Sequence, residues 1–186
     1  MTESNFQYGL VARKKKPLAE YTLVKGNFRE IAEGLIKHAD PKTPYTSLDQ
    51  GQFMLYTYTS SDKMTFLCIC KSSVDRTLAT CFLREMQERW IKKYGEKCPR
   101  FGEYSKNVEF GQSEIHNLMD IYNIKGADHL GLVSDLLQEA ELITIKNLSK
   151  AYERGDQLNI MDAKAQHILK GAKKFHQVAH EIKNGN

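Results

Sequence analysis

Between Phe6 and Arg13, Phe6, Tyr8, Leu10 and Ala12 alternate with Gln7, Gly9, Val11 and Arg13, which predicts a half-buried strand. Lys14-Lys15-Lys16-Pro17 turns the chain, and Leu18 to Val24 supplies a second strand. Asn27 with Glu30 three positions on has the form of a helix-start box. Ile31, Leu35, Ile36 and Ala39 then recur at helical spacing until Asp40-Pro41 stops the run. A short strand over Tyr45 to Leu48 precedes a hairpin, in which Phe53 to Thr59 and Met64 to Cys70 flank Ser60-Ser61-Asp62-Lys63. The second arm is apolar on both faces, which places it centrally in a sheet. Ser72-Ser73-Val74-Asp75 opens a long helix whose stripe is Leu78, Phe82, Met86 and Trp90 with Ala79, Leu83 and Tyr94, and Gly95 ends it. Beyond Cys98-Pro99, a last helix carries Ile115, Leu118, Met119 and Tyr122. Strands that need cover on both faces, with helices before and after, predict an α+β domain with its sheet between helices.

The rest of the chain has another rhythm. From Leu130 a seam steps by three and four through Val133, Leu137, Ala140, Thr144, Asn147, Ala151, Arg154, Leu158, Met161, Ala165, Ile168, Ala172, Phe175, Ala179 and Ile182. All but Thr144, Asn147 and Arg154 are apolar, the pattern of a coiled coil. Residues 126–186 hold no proline and no strand alternation, so one helix is expected, roughly 80 Å long from Leu130 to Ile182 at ~1.5 Å per residue. A single seam cannot bury itself. It needs partner helices, or it must fold back on the first domain.

Composition narrows the function. The 186 residues are 41% hydrophobic and 27% charged, with a net charge of +4. Basic and acidic groups balance in residues 126–186, so the surplus lies before them. With no dense basic stripe interleaved with aromatics, nucleic acid is not an expected partner. The four cysteines do not form a disulfide framework, and Cys68 and Cys70 read as small hydrophobes on one face of a strand. No signal peptide, transmembrane stretch or lipidation box is present through Asn186. His176 and His180 share a helical face without a third ligand, so no metal site is expected, and no phosphate-cradling glycine loop or nucleophile signature is found. Neither an enzyme nor a cofactor is expected.

Arg154 stands near the middle of the seam, in Ala151-Tyr152-Glu153-Arg154-Gly155-Asp156-Gln157-Leu158. A guanidinium in a dry helical interface costs several kcal/mol unless acceptors match its donors, and such a residue sets register and partner count. With this residue in place, Leu130 to Ile182 resembles the R-SNARE motif of synaptobrevin-like vesicle-associated membrane proteins. Phe66-Leu67-Cys68-Ile69, Asp75-Arg76, Phe82-Leu83 and Tyr94-Gly95 make the first half resemble a longin domain.

The resemblance implies a longin domain over residues 1–122, with a five-stranded, mainly antiparallel, profilin-like sheet sandwiched by helices. It further implies a linker over 123–129 and an R-SNARE coiled-coil motif over 130–186. Arg154 would be the ionic layer, facing three glutamines from Q-SNARE helices, and the other seam residues the coiled-coil layers. Thr144, Ala140 and Ala151 are small or polar where the family has bulkier residues, and Gly131 weakens the helix start. The implied function is vesicle-mediated membrane fusion at the cytosolic face of a vesicle, endomembrane or plasma membrane. The implied chain is a soluble fragment ending just before a transmembrane anchor. Without partners, the SNARE segment would be disordered or docked on the longin domain, near the first helix at Ile31 and Leu35 and the adjoining strand. A second reading is a longin-type trafficking adaptor or regulator without fusion activity.

Overall fold

A computed structural model describes residues 4–95 and 108–149. Strands β1 (Phe6–Arg13) and β2 (Lys16–Thr22) form a hairpin, followed by helix α1 (Phe28–Ile36). Strands β3 (Tyr45–Gln50), β4 (Phe53–Thr59) and β5 (Met64–Lys71) form an antiparallel meander, and the long helix α2 (Arg76–Tyr94) follows. A single turn α3 (Val108–Phe110) passes through a π turn (Gly111–Ile115) into α4 (His116–Lys125). A 3₁₀ segment (Gly126–Val133), helix α5 (Ser134–Glu141) and a two-residue strand β6 (Lys146–Asn147) complete the described chain.

The sheet order is β2-β1-β5-β4-β3-β6. Residues of β5 supply both faces, Phe66, Cys68 and Cys70 toward α2 and Leu67 and Ile69 toward α1. This is the central position its unbroken apolar run predicts. On the first face Phe6 stacks on Phe82 with ring centroids 4.4 Å apart, and Tyr122 meets both rings edge-on. On the second, Tyr8 stacks on Phe28 at 5.3 Å beside Ile31, Leu35 and Leu48. Each such fully buried side chain contributes roughly 1.5–3 kcal/mol through removal from water.

Local chemistry sets the helix ends. Asp75 accepts the Thr77 N–H at 2.7 Å and caps α2, and Gly95 ends it with a φ of 72° that a side chain would disfavour. The Asn27 carbonyl accepts the Ile31 N–H at 3.2 Å at the start of α1. In the π turn, Gly111 lies so close to β2 that a Cβ there would overlap the Glu20 carbonyl oxygen. The widened turn and the absent side chain together bring this helix onto the sheet edge.

Two expectations need correction. Strand β1 is buried on both faces rather than one, because it lies inside the sheet between β2 and β5 with α2 over one face and α1 over the other. Its register against β5 also shifts between Phe6 and Tyr8. The irregularity sends Phe6 to the α2 side while Tyr8, Leu10 and Ala12 face α1. The end expected for the first domain, residue 122, falls inside α4, which continues to Lys125 and directly into the 3₁₀ segment expected to be a linker. Asn123 holds it there, accepting the Phe6 N–H at 2.7 Å and donating to the Phe6 carbonyl at 3.1 Å.

The described part of the seam, without partner helices, is docked on the domain. The chain from Leu130 is not one helix: a 3₁₀ segment and α5 stop at Glu141, Thr144 lies in the following connection, and Asn147 lies in β6. The β-branched run Ile143-Thr144-Ile145 favours extended backbone, and the open edge of β3 offers it hydrogen bonds.

Candidate functional site

The groove is built by α1 and β3. Helix α1 presents Ile31, Ala32, Leu35 and Ile36 inward, and Leu48 and Leu55 of the sheet close the floor. Leu148 enters this cluster with 9% of its surface exposed. Its backbone N–H donates to the Ser47 carbonyl at 2.7 Å, and Lys146 and Asn147 pair with Thr46 and Ser47 in parallel register. The Asp49 N–H donates to Ser149 Oγ at 3.0 Å, one step further along. Asn147 Oδ1 accepts the Ser149 N–H at 2.9 Å, an Asx turn that shapes the segment's end. Ile31 and Leu35 thus share one apolar cluster with a residue from the candidate SNARE motif.

The preceding stretch is fastened to the opposite face. His129 is buried, with Nε2 2.8 Å from Glu85 Oε2, and the Tyr122 hydroxyl donates to the same carboxylate oxygen at 2.9 Å. Arg89 approaches the other Glu85 oxygen at 3.5 Å and donates to Asn117 at 2.9 Å. Burial, reinforced by Glu85, raises the Tyr122 pKa well above the ordinary phenol range. Tyr122 therefore remains a neutral donor to that carboxylate.

Helix α5 then lies along α2. Leu136 and Ala140 are buried, and Leu130, Val133, Leu137 and Ile145 pack partly against the core. Arg84 ties this helix to the sheet: its guanidinium lies 4.9 Å from the Tyr58 ring centroid and 3.1 Å from Glu139. Burial opposes the Arg84 charge, but Tyr45, Tyr58 and Glu139 outweigh that penalty and hold its pKa above the ordinary value. Arg76 donates to the Ile143 carbonyl at 2.6 Å, guiding the chain over the β3 edge.

Residues 126–149 therefore wrap from the α2 face, across the edge of β3, into the α1 groove. Of the seam residues, Leu130, Val133, Leu137 and Ala140 face the domain, whereas Thr144 and Asn147 are exposed. Ala151, Arg154, Leu158, Met161, Ala165, Ile168, Ala172, Phe175, Ala179 and Ile182 lie outside the described residues, as does Cys98. Periodicity missed Leu136 and Leu148, which are off the seam, and His129, Glu85, Arg84 and Arg76, whose roles depend on contacts distant in sequence. The one local signal was the β-branched run before Lys146.

The remaining thiols serve packing. Cys68 and Cys81 are buried, and burial pushes the Cys68 pKa well up and that of Cys81 to about 11. Neither thiol is primed as a nucleophile. Among the described residues, no helix is long and apolar enough to cross a membrane.

Comparison with known proteins places this architecture. The family model of the longin domain, described as a Regulated-SNARE-like domain, matches residues 18–113. Vesicle-associated membrane protein 7 of Gallus gallus and that of Homo sapiens are each 23% identical over 168 residues, 90% of this chain and 76% of theirs. Vesicle-associated membrane protein 714 of Arabidopsis thaliana is 25% identical over 157 residues, 83% of this chain and 70% of its own. A solved structure described as the yeast R-SNARE Nyv1p, a longin domain protein, aligns with a TM-score of 0.43 and 14% identity, covering 69% of this chain and 95% of that one. From its matched residues, this chain belongs to the longin family, the regulated-SNARE-like domain of longin-type R-SNAREs.

Proposed function

We propose that this chain is an R-SNARE of vesicle-mediated transport, in which a longin domain governs the assembly of a SNARE motif over residues 130–186. The motif would zip with three Q-SNARE helices at the cytosolic face of a vesicle or endomembrane and drive fusion. Layer after layer of apolar surface leaves water as the helices close, and that burial supplies the work. Arg154 is the ionic layer of this reading, its donors matched by glutamine carbonyls, and the remaining seam residues are the coiled-coil layers.

The observation that supports regulation is the use made of Leu130, Val133, Leu137 and Ala140. These positions, which would line a bundle core, are turned against the longin domain, and Leu148 occupies its groove. One stripe cannot be buried in two places, so docking and zippering compete for it. The described conformation is the docked side of that competition.

The test mixes the chain with Q-SNARE helices and follows an SDS-resistant complex. The parent chain should assemble slowly and Leu148→Ala faster. Arg154→Glu should assemble poorly, because a carboxylate brings no donors to the glutamine carbonyls and retains the desolvation cost. Arg154→Leu should assemble at least as stably as the parent, with poorer register. Failure of the parent and of Leu148→Ala to assemble with any Q-SNARE set would refute the reading in favour of an adaptor.

A further inference from the structure

At one end of the sheet, three connections converge on a cleft of about 510 Å³. The β1–β2 turn contributes Lys14 and Lys15, the β4–β5 turn contributes Lys63, and the chain leaving α1 contributes Lys37, His38 and Asp40. The two turns are joined directly, with the Lys14 N–H donating to the Lys63 carbonyl at 3.1 Å. The Pro44 carbonyl accepts the Thr59 N–H at 2.7 Å and holds the third wall against the second. The cleft is therefore framed by backbone hydrogen bonds. It lies at the lysine turn noted in the sequence, a feature the SNARE reading does not use.

Two features of these lysines are unusual. Lys14, Lys15 and Lys63 adopt φ values of 45°, 67° and 65°, the left-handed region where glycine or asparagine is cheaper. Every non-glycine residue with positive φ among the described residues is thus a lysine at this cleft. Moreover, among the described residues, no carboxylate pairs with Lys14, Lys15, Lys37 or Lys63. The cleft's own acid, Asp40, is engaged by the Lys42 N–H at 2.9 Å, and Asp62 on the neighbouring turn is engaged by the Ser60 hydroxyl. Four lysine charges line one concavity, and an anion placed between them would be attracted by all four.

We propose that this cleft binds clustered phosphate groups, as carried by a polyphosphorylated inositol headgroup on a lipid or free in solution. Lysine ammoniums are compact, mobile point charges suited to phosphate oxygens arranged at several angles. The volume suits a headgroup-sized ligand. A nucleic-acid backbone would need a longer basic track, which the balanced charge elsewhere does not provide. The cleft is separate from the groove occupied by Leu148, so the proposal stands whether or not the SNARE reading does.

The experiment uses the full chain and the variant Lys14→Gly/Lys63→Gly, which removes two charges while easing both turns. Binding is measured by calorimetry with soluble inositol trisphosphate. It is also measured by co-sedimentation with phosphatidylcholine vesicles carrying phosphatidylinositol bisphosphate, or phosphatidylserine at matched charge. The parent should bind the bisphosphate vesicles more tightly than the phosphatidylserine vesicles. The variant should melt no lower than the parent and bind roughly 25-fold more weakly, about fivefold per lysine. Binding of the soluble compound as well would identify a free phosphate source, and vesicle binding alone a lipid source; both support the site. Equal capture by phosphatidylserine vesicles, equal binding to a DNA duplex, or unchanged binding by the variant would overturn it.

Discussion

Replacing Leu148 by alanine should open the docked segment without unfolding the longin domain. Leu148 is the apolar anchor of β6 in the groove and is 9% exposed. Leucine-to-alanine changes at buried sites cost ~2–5 kcal/mol, and a residue at a groove rim belongs near ~2 kcal/mol. That cost falls on the docked state alone, because the undocked segment loses no contact with the groove. The opening constant should therefore rise about 30-fold. Hydrogen exchange reads this directly. The Leu148 N–H, bonded to Ser47, and the Asp49 N–H, bonded to Ser149, are protected only while the segment is docked. Both should exchange about 30-fold faster in the variant, while central β5 amides such as those of Cys68 and Ile69 keep the parent rate. Equal acceleration in β5 would mean that residues 126–149 are an inseparable part of the fold. No acceleration at Leu148 and Asp49 would mean that the anchor lies elsewhere. Either result would refute the competition between docking and assembly.

Tyr122→Phe should destabilise the docked 3₁₀ segment by about 1 kcal/mol, because Glu85 loses one donor, and urea melts monitored at that segment should detect it. Gly111→Ala should destabilise the whole domain by several kcal/mol, since its Cβ would collide with the Glu20 backbone, and a lowered thermal midpoint checks this. Alkaline pH should unfold the protein cooperatively. Burial raises Cys81 from 9.0 to about 11 and Tyr56 from 10.0 to about 12, so both groups hold protons in the folded state that the unfolded chain releases. Stability is then fully present below about 9 and falls as pH rises from there through about 12, and urea midpoints that stay flat over that range would contradict it.

Much of the longin domain was legible because its information is local. The unbroken apolar run of β5 marked a strand needing cover on both faces, and the stripe from Leu78 to Trp90 marked a helix with one buried side. Asp75 and Gly95 bracketed that helix through bonds within a few residues of themselves. Even so, the alternation in β1 assigned Phe6 to the wrong face. A register shift against β5 is a relation between two strands, and one strand's pattern does not contain it.

What the sequence determined by itself, then, was the order of elements, the central strand, and the presence of an apolar stripe after Leu130 that must be covered. Which surface covers Leu130, Val133, Leu137 and Ala140 was decided by tertiary structure. Burial of apolar area has no direction, so the same stripe satisfies a bundle of helices or the face of α2 equally well as a pattern. Tertiary structure supplied the selective contacts: a carboxylate on α2 to meet His129, an arginine to meet Glu139, and an open β3 edge. That edge turned Lys146 and Asn147 from helix to strand and seated Leu148 beside Ile31 and Leu35, because unpaired backbone groups and an apolar groove were waiting there together.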